Sequence, residues 1–119
     1  MTEFSRSLLF VPGNRPERFA KAAASGAHEI VIDLEDAVAP AAKIEAREFA
    51  AEWLASGQQT TIRINSADTE WFGDDLKMLE SFPTAVVMVP KADVESLAQV
   101  ATALSGRPLI ALIETVCGF

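Results

Sequence analysis

The sequence predicts an α/β fold, a parallel sheet covered by helices, and three observations carry that expectation. Five short runs rich in Val, Ile and Leu recur along the 119 residues, they are mostly continuous rather than alternating, and helical apolar stripes separate them. A strand with one wet face alternates; continuous apolar runs suit strands buried on both faces. The runs are Ser7–Val11, Glu29–Leu34, Thr60–Asn65, Ala85–Pro90 and Pro108–Glu114.

The intervening segments read as helices. Asn14, Pro16 and Glu17 resemble a capping box, with Asn14 as N-cap and an early proline. Ala46, Phe49, Ala50, Trp53 and Leu54 recur at the spacing of one buried helix face. Phe72, Leu76 and Leu79 form the next stripe, and Val94, Leu97, Ala98, Ala101 and Leu104 the last. Ser25-Gly26, Ser56-Gly57 and Ser105-Gly106 close three helices, glycine supplying a left-handed C′ conformation. The order is therefore β-α-β-α-β-α-β-α-β, and right-handed crossovers make the sheet parallel. Only Thr115–Phe119 follow the fifth run. A doubly wound domain would add a helix there and an eight-fold barrel needs roughly 250 residues, so the expectation is the first half of something larger.

Composition removes several functions. Seventeen acidic against ten basic residues give a net charge of -7, which leaves no electrostatic footprint for nucleic acid or an anionic membrane. A single cysteine excludes a disulfide framework and a cysteine-built zinc site. No apolar run approaches the roughly 20 residues of a membrane span. The N-terminus carries Glu3 and no basic segment before an apolar one, so no signal peptide is expected and the expected location is the cytoplasm.

Ligands of parallel α/β folds bind at the carboxyl ends of the strands. Those ends read Pro12-Gly13-Asn14, Asp33-Leu34-Glu35-Asp36, Arg63-Ile64-Asn65, Pro90-Lys91 and Glu114-Thr115. Every run after the first thus delivers a charge to one rim. The acidic cluster suits a divalent cation or a basic partner, or else a solvated helix-capping loop. Arg63, between Ile62 and Ile64, must reach a carboxylate, a phosphate or a ligand; the plain alternative is a salt bridge to the second strand's carboxylates. Glu114 ends a wholly apolar run and needs a counter-charge, either Mg²⁺ or an ion-pair partner such as Lys91 or Arg63. Lys91 reads as an ion-pair partner ahead of a Schiff-base nucleophile. Met78, Met88, Trp53, Cys117 and His28 read as packing residues.

Taken in order, Leu9-Phe10-Val11-Pro12-Gly13-Asn14, Asp33-Leu34-Glu35-Asp36-Ala37-Val38, Arg63-Ile64-Asn65, Pro90-Lys91 and Ile113-Glu114-Thr115 with Gly118 resemble the citrate lyase β-subunit-like family, with its malyl-CoA and citramalyl-CoA lyases, of the HpcH/HpaI aldolase superfamily. The resemblance runs over essentially the whole chain. It implies the first half of a (β/α)₈ TIM barrel spanning 1–119, cut after the fifth strand, and a homo-oligomer, commonly a trimer. The implied activity is a Mg²⁺-dependent carbon–carbon lyase that splits a citryl-, malyl- or citramalyl-CoA thioester into a CoA thioester and a keto acid of the oxaloacetate, glyoxylate or pyruvate class. By the same resemblance Glu114 is catalytic, ligates the metal and touches the keto acid, and Arg63 binds substrate and steadies the enolate. Glu35 and Asp36 line the pocket, Asn14, Arg15 and Arg18 approach CoA, and Lys43 and Arg47 occupy the following helix. A second metal ligand and the base are expected beyond residue 119, and the fragment alone is expected to be inactive. Two other classes compete: a non-catalytic CoA-thioester or keto-acid binder on this scaffold, and a flavodoxin-like receiver domain. The receiver's acidic pair, phospho-acceptor and lysine would fall on Pro12-Gly13, Arg63-Ile64-Asn65 and Glu114, which do not fit.

Overall fold

The structure, a computed structural model, describes residues 8–25, 29–58, 60–90, 94–104 and 109–112. Strands β1 (Leu8–Pro12), β2 (Glu29–Asp33), β3 (Thr61–Arg63), β4 (Val86–Pro90) and β5 (Leu109–Leu112) alternate with helices α1 (Glu17–Ala23), α2 (Lys43–Ala55), α3 (Phe72–Glu80) and α4 (Val94–Ala103). A short 3-10 turn, Pro40–Ala42, leads into α2. All four strand pairings are parallel, and the order across the sheet is β1-β2-β3-β4-β5. Each strand therefore adds to the same growing edge. A flavodoxin-like domain reverses direction after its first strand, so this order excludes the receiver reading.

Strand residues divide between two faces. Val11, Ile32, Leu34, Ile62, Ile64, Val87 and Val89 join Phe19, Ala46, Ala50, Leu54, Leu76 and Leu79 in one core. Successive side chains alternate, so the register row Pro12, Asp33, Arg63 and Met88 projects to the other face. That row carries the charge. Among the described residues no helix is long and apolar enough to cross a membrane.

The helices follow their stripes with two corrections. The capping box at Asn14 does not form: Pro16 is the N-cap of α1, and no side chain caps it. Instead the chain enters through successive turns, Arg15 N–H donating to Pro12 O and Arg18 N–H to Arg15 O, which displaces Asn14 from the helix start. In α4, Ala98 and Ala101 are exposed, while Val100 and Leu104 are buried and Leu97 is partly buried. Val100 has more apolar surface to hide than either alanine, and the helix turns that side inward. In α2 the stripe holds: Ala46, Ala50 and Leu54 are buried, with Phe49 and Trp53 packed against them. Trp53 also meets Phe19 edge-to-face at 5.6 Å and donates through Nε1 to Thr60 Oγ1. Met78 is partly buried and Met88 is buried, in keeping with packing roles. Gly57 has a φ of 95°, the left-handed conformation expected after α2. Gly26, Gly106, His28, Lys91, Glu114 and Cys117 lie outside the described residues.

Gly13 joins β1 to the site. Its N–H donates to Asp33 O at 2.8 Å, and a Cβ there would lie 2.8 Å from Leu34 Cδ2, 3.0 Å from Ala46 Cβ and 3.1 Å from Asp33 O. Backbone and a helix methyl cannot both withdraw. Gly13→Ala is expected to destabilise the protein by about 1–3 kcal/mol, seen as a lower denaturation midpoint at unchanged slope. An unaltered midpoint would show that the loop after β1 has room to spare.

Candidate active site

The site forms where β2 and β3 end side by side. Their register sets Asp33 opposite Arg63, and the two side chains meet. Arg63 Nε donates to Asp33 Oδ1 at 2.9 Å, and Nη2 donates to Oδ2 at 2.5 Å, a two-pronged pair. Asp33 is 1% exposed, so this carboxylate needs all its acceptor sites filled. Glu35 N–H donates to Oδ1 and Ala37 N–H to Oδ2, closing the loop after β2 around the carboxylate. Burial pushes the Asp33 carboxyl up. The hydrogen bonds from Arg63 and the two amides, with the guanidinium's charge, outweigh burial and hold it below its ordinary 3.8. The Asp33 hydrogen bond in turn raises Arg63 above its usual range.

Asp33 occupies only one edge of the guanidinium, the Nε–Nη2 edge. Arg63 Nη1 finds no acceptor among the described residues. Arg63 lines an open concavity of about 410 Å³ together with Phe10, Asp33, Asp36 and Ala37. The Phe10 ring flanks the guanidinium at 5.0 Å and is itself 42% exposed. Glu35 approaches Arg63 Nε at 3.6 Å from a nearly buried position. A planar cation with one edge fixed and the other bordering a concavity is suited to bind a small carboxylate or an oxyanion.

A second cluster supports the end of β3. Asp75 of α3 is 1% exposed, and its Oδ2 accepts from both the N–H and the Nδ2 of Asn65. Its Oδ1 accepts from Arg47 Nε at 2.9 Å, linking α2 to α3.

The expected site residues divide accordingly. Arg63, Glu35 and Asp36 come together, although Arg63 is held by Asp33 in the very ion pair that was its plainer reading. Asn14 and Arg15 follow β1 on the same rim, half-buried and exposed respectively. Arg18, exposed on α1, lines a separate concavity of about 340 Å³ with Lys21, Ser25 and strand β1. Phe10 borders both. Glu114 lies outside the described residues. Sequence reasoning did not single out the holding role of Asp33, the ring of Phe10 or buried Asp75. For Asp75 a signal existed: it falls within the Phe72, Leu76 and Leu79 stripe, where a carboxylate faces the core.

Magnesium has no complete site among the described residues. Among the described residues no group of three or more His, Cys, Asp or Glu could hold a metal ion. Asp33 and Glu35 already face Arg63, which leaves Asp36 as the exposed carboxylate of the concavity.

The lowered Asp33 value fixes a pH dependence. A carboxylate held low in the folded state contributes stability above its unfolded value, and that stability is lost as pH falls through the folded value. The Asp33 contribution should therefore persist at neutral and mildly acidic pH and disappear below 3.8. Asp33→Asn should flatten the acid limb of a stability curve taken from about pH 5 to about pH 2. Superimposable limbs would mean that Asp33 does not stay ionised as described.

Residues 6–109 match the family model described as HpcH/HpaI aldolase/citrate lyase. A citrate lyase subunit beta-like protein of Mycobacterium tuberculosis is 46% identical over 110 residues, covering 92% of this chain and 39% of that protein. A (3S)-malyl-CoA thioesterase of Cereibacter sphaeroides is 35% identical over 118 residues, covering 95% and 41%. The chain thus spans about two-fifths of the length of these relatives. Among solved structures, the M. tuberculosis citrate lyase β subunit complexed with oxaloacetate and magnesium superposes with a TM-score of 0.77 at 41% identity, over 92% of this chain and 48% of that one. Protein CitE of the same organism, in complex with magnesium, acetoacetate and coenzyme A, gives 0.75 at 39% identity, over 92% and 41%. With the family model matched along nearly the whole chain, this chain belongs to the HpcH/HpaI aldolase/citrate lyase family.

Proposed function

We propose that the protein carrying this chain is a Mg²⁺-dependent carbon–carbon lyase, cleaving a 3-hydroxyacyl-CoA-type thioester of the citryl, malyl or citramalyl kind into a keto acid and a CoA thioester. One observation carries the reading: Asp33 fixes Arg63 along one edge and leaves Nη1, at a concavity, without an acceptor among the described residues. In this retro-aldol type of cleavage a base takes the hydroxyl proton, and the hydroxyl carbon becomes the carbonyl of the keto acid. The C–C bonding pair passes to the thioester side as an enolate that a proton then converts to the CoA thioester. A fixed guanidinium favours both the product's carboxylate and the negative charge that develops, at no reorganisation cost. Asp33 keeps that cation oriented, and Phe10 covers its flank against water. Asp36 is the carboxylate available at the mouth, and Asn14, Arg15 and Arg18 are offered as contacts for the CoA portion.

Mg²⁺ enters this reading through the relatives crystallised with it. Glu114 is the proposed ligand, with a second expected beyond residue 119, and the five strands are read as the first half of a (β/α)₈ barrel. The roles derived above belong to Arg63, Asp33 and Phe10 and do not pass through the metal.

A second reading follows from the relatives named malyl-CoA thioesterase: hydrolysis of the thioester at the same site. Product analysis separates the two. The lyase converts malyl-CoA into glyoxylate and acetyl-CoA without free thiol, whereas hydrolysis yields malate and one free CoA thiol per turnover. Glyoxylate without thiol is expected from the native protein with Mg²⁺; thiol without glyoxylate would replace the lyase by the thioesterase. No turnover of malyl-, citramalyl- or citryl-CoA would leave a binding protein. Arg63→Lys should lower kcat/KM on the order of a hundredfold, because a point charge cannot serve Asp33 and substrate together. Glu114→Gln should abolish the Mg²⁺ requirement along with turnover, and retained Mg²⁺-dependent activity would remove it from the metal.

A further inference from the structure

Lys43 is the least expected side chain near the site. It opens α2, where the helix dipole disfavours a cation, and it is only 7% exposed. Burial is the largest influence on its ammonium and lowers its pKa, against the opposing field of Asp33, Glu35, Asp75 and Asp36. A lysine held at such cost needs specific partners. Among the described residues Nζ donates to Leu34 O at 3.0 Å and to Glu35 O at 2.7 Å, and it lies 5.2 Å from the centre of the Trp71 ring.

The Leu34 carbonyl and the Glu35 N–H belong to one peptide group. Lys43 holds its oxygen, and its N–H donates to Asp33 Oδ1, the atom that also accepts from Arg63 Nε. The ammonium therefore pulls on one end of a peptide whose other end supports the carboxylate that orients Arg63. Hydrogen bonds chained through a peptide polarise and strengthen one another where water is excluded.

We propose that Lys43 is a positioning residue for Arg63, acting through the Leu34–Glu35 peptide and Asp33 rather than touching the substrate. The proposal deepens the reading in which Arg63 binds the keto acid and rests on it for its functional meaning. The coupling from Lys43 to Arg63 stands on this geometry alone.

The test uses the native protein labelled with ¹⁵N, reading the Nε–H resonances of Arg63 and Arg47, each assigned by its loss in the corresponding lysine variant. Arg47 Nε donates to Asp75 and has no part in the relay, so it reports general loosening. In Lys43→Met, hydrogen exchange at Arg63 Nε should accelerate about tenfold while Arg47 changes little. Lys43→Gln, which keeps a neutral N–H donor group without the charge, is scored in the same way should the methionine variant fail to fold. Equal acceleration at both arginines, or none at Arg63 despite a lower melting temperature, reduces Lys43 to a structural residue and overturns the proposal. Calorimetric titration with oxaloacetate and Mg²⁺ completes the test. Weaker binding in the variant is expected, and native-like binding by a variant with a loosened Arg63 overturns the functional role. A native protein that binds no keto acid refutes the lyase reading instead, while the exchange data still decide the relay.

Discussion

Asp33 and Arg63 face each other because β2 and β3 are parallel neighbours in one particular register, and the site is organised around that pair. A one-residue slip would send Arg63 to the helix-covered face and bring Ile62 or Ile64 to the rim. The pair thus does two things at once. It gives the guanidinium a fixed orientation, and it ties the polar face to a single alignment of two apolar strands. Buried ion pairs add little net stability, but they can specify one arrangement over its neighbours.

Around this pair lies a shell of supports, each from a different element. The loop after β2 folds its amides onto Asp33, α2 contributes Lys43 behind that loop, and Gly13 brings β1 within hydrogen-bonding distance of the Asp33 carbonyl. Asp75 does the equivalent for the end of β3 by holding Asn65, with Arg47 joining the two helices. The local cost is high, since Asp33, Lys43 and Asp75 are all nearly dry. Charged groups collected in the dry part of a rim, each with assigned partners, suit a site that must keep its shape when a ligand arrives.

Much of this was legible in the sequence. Runs rich in Val, Ile and Leu marked all five strands, because the helix-covered face of a parallel sheet is apolar. Arg63 stood out inside such a run; its salt-bridge reading holds along one edge of the guanidinium, and the residue also lines a concavity. The failures have physical causes. At Asn14 a local capping pattern lost to the turns that carry β1 into α1. At Ala98 and Ala101 the periodicity was right in kind but a larger neighbour, Val100, decided which side turned inward. The buried roles of Lys43 and Asp75 escaped notice because a charge at a core position reveals itself only through partners distant in sequence. For Asp75 those are Asn65, ten residues away, and Arg47, 28 away.

The strictly consecutive strand order also bears on how the chain acquires its shape. Each strand pairs with the one synthesised just before it, so the contacts that build the sheet stay short in sequence. Pairing of that kind lets β1 to β5 add one after another as the nascent polypeptide leaves the ribosome. Asp33 and Arg63 are thirty residues apart and can meet once β3 has emerged, before β4 exists. The Asp33–Arg63 pair is therefore a product of early folding.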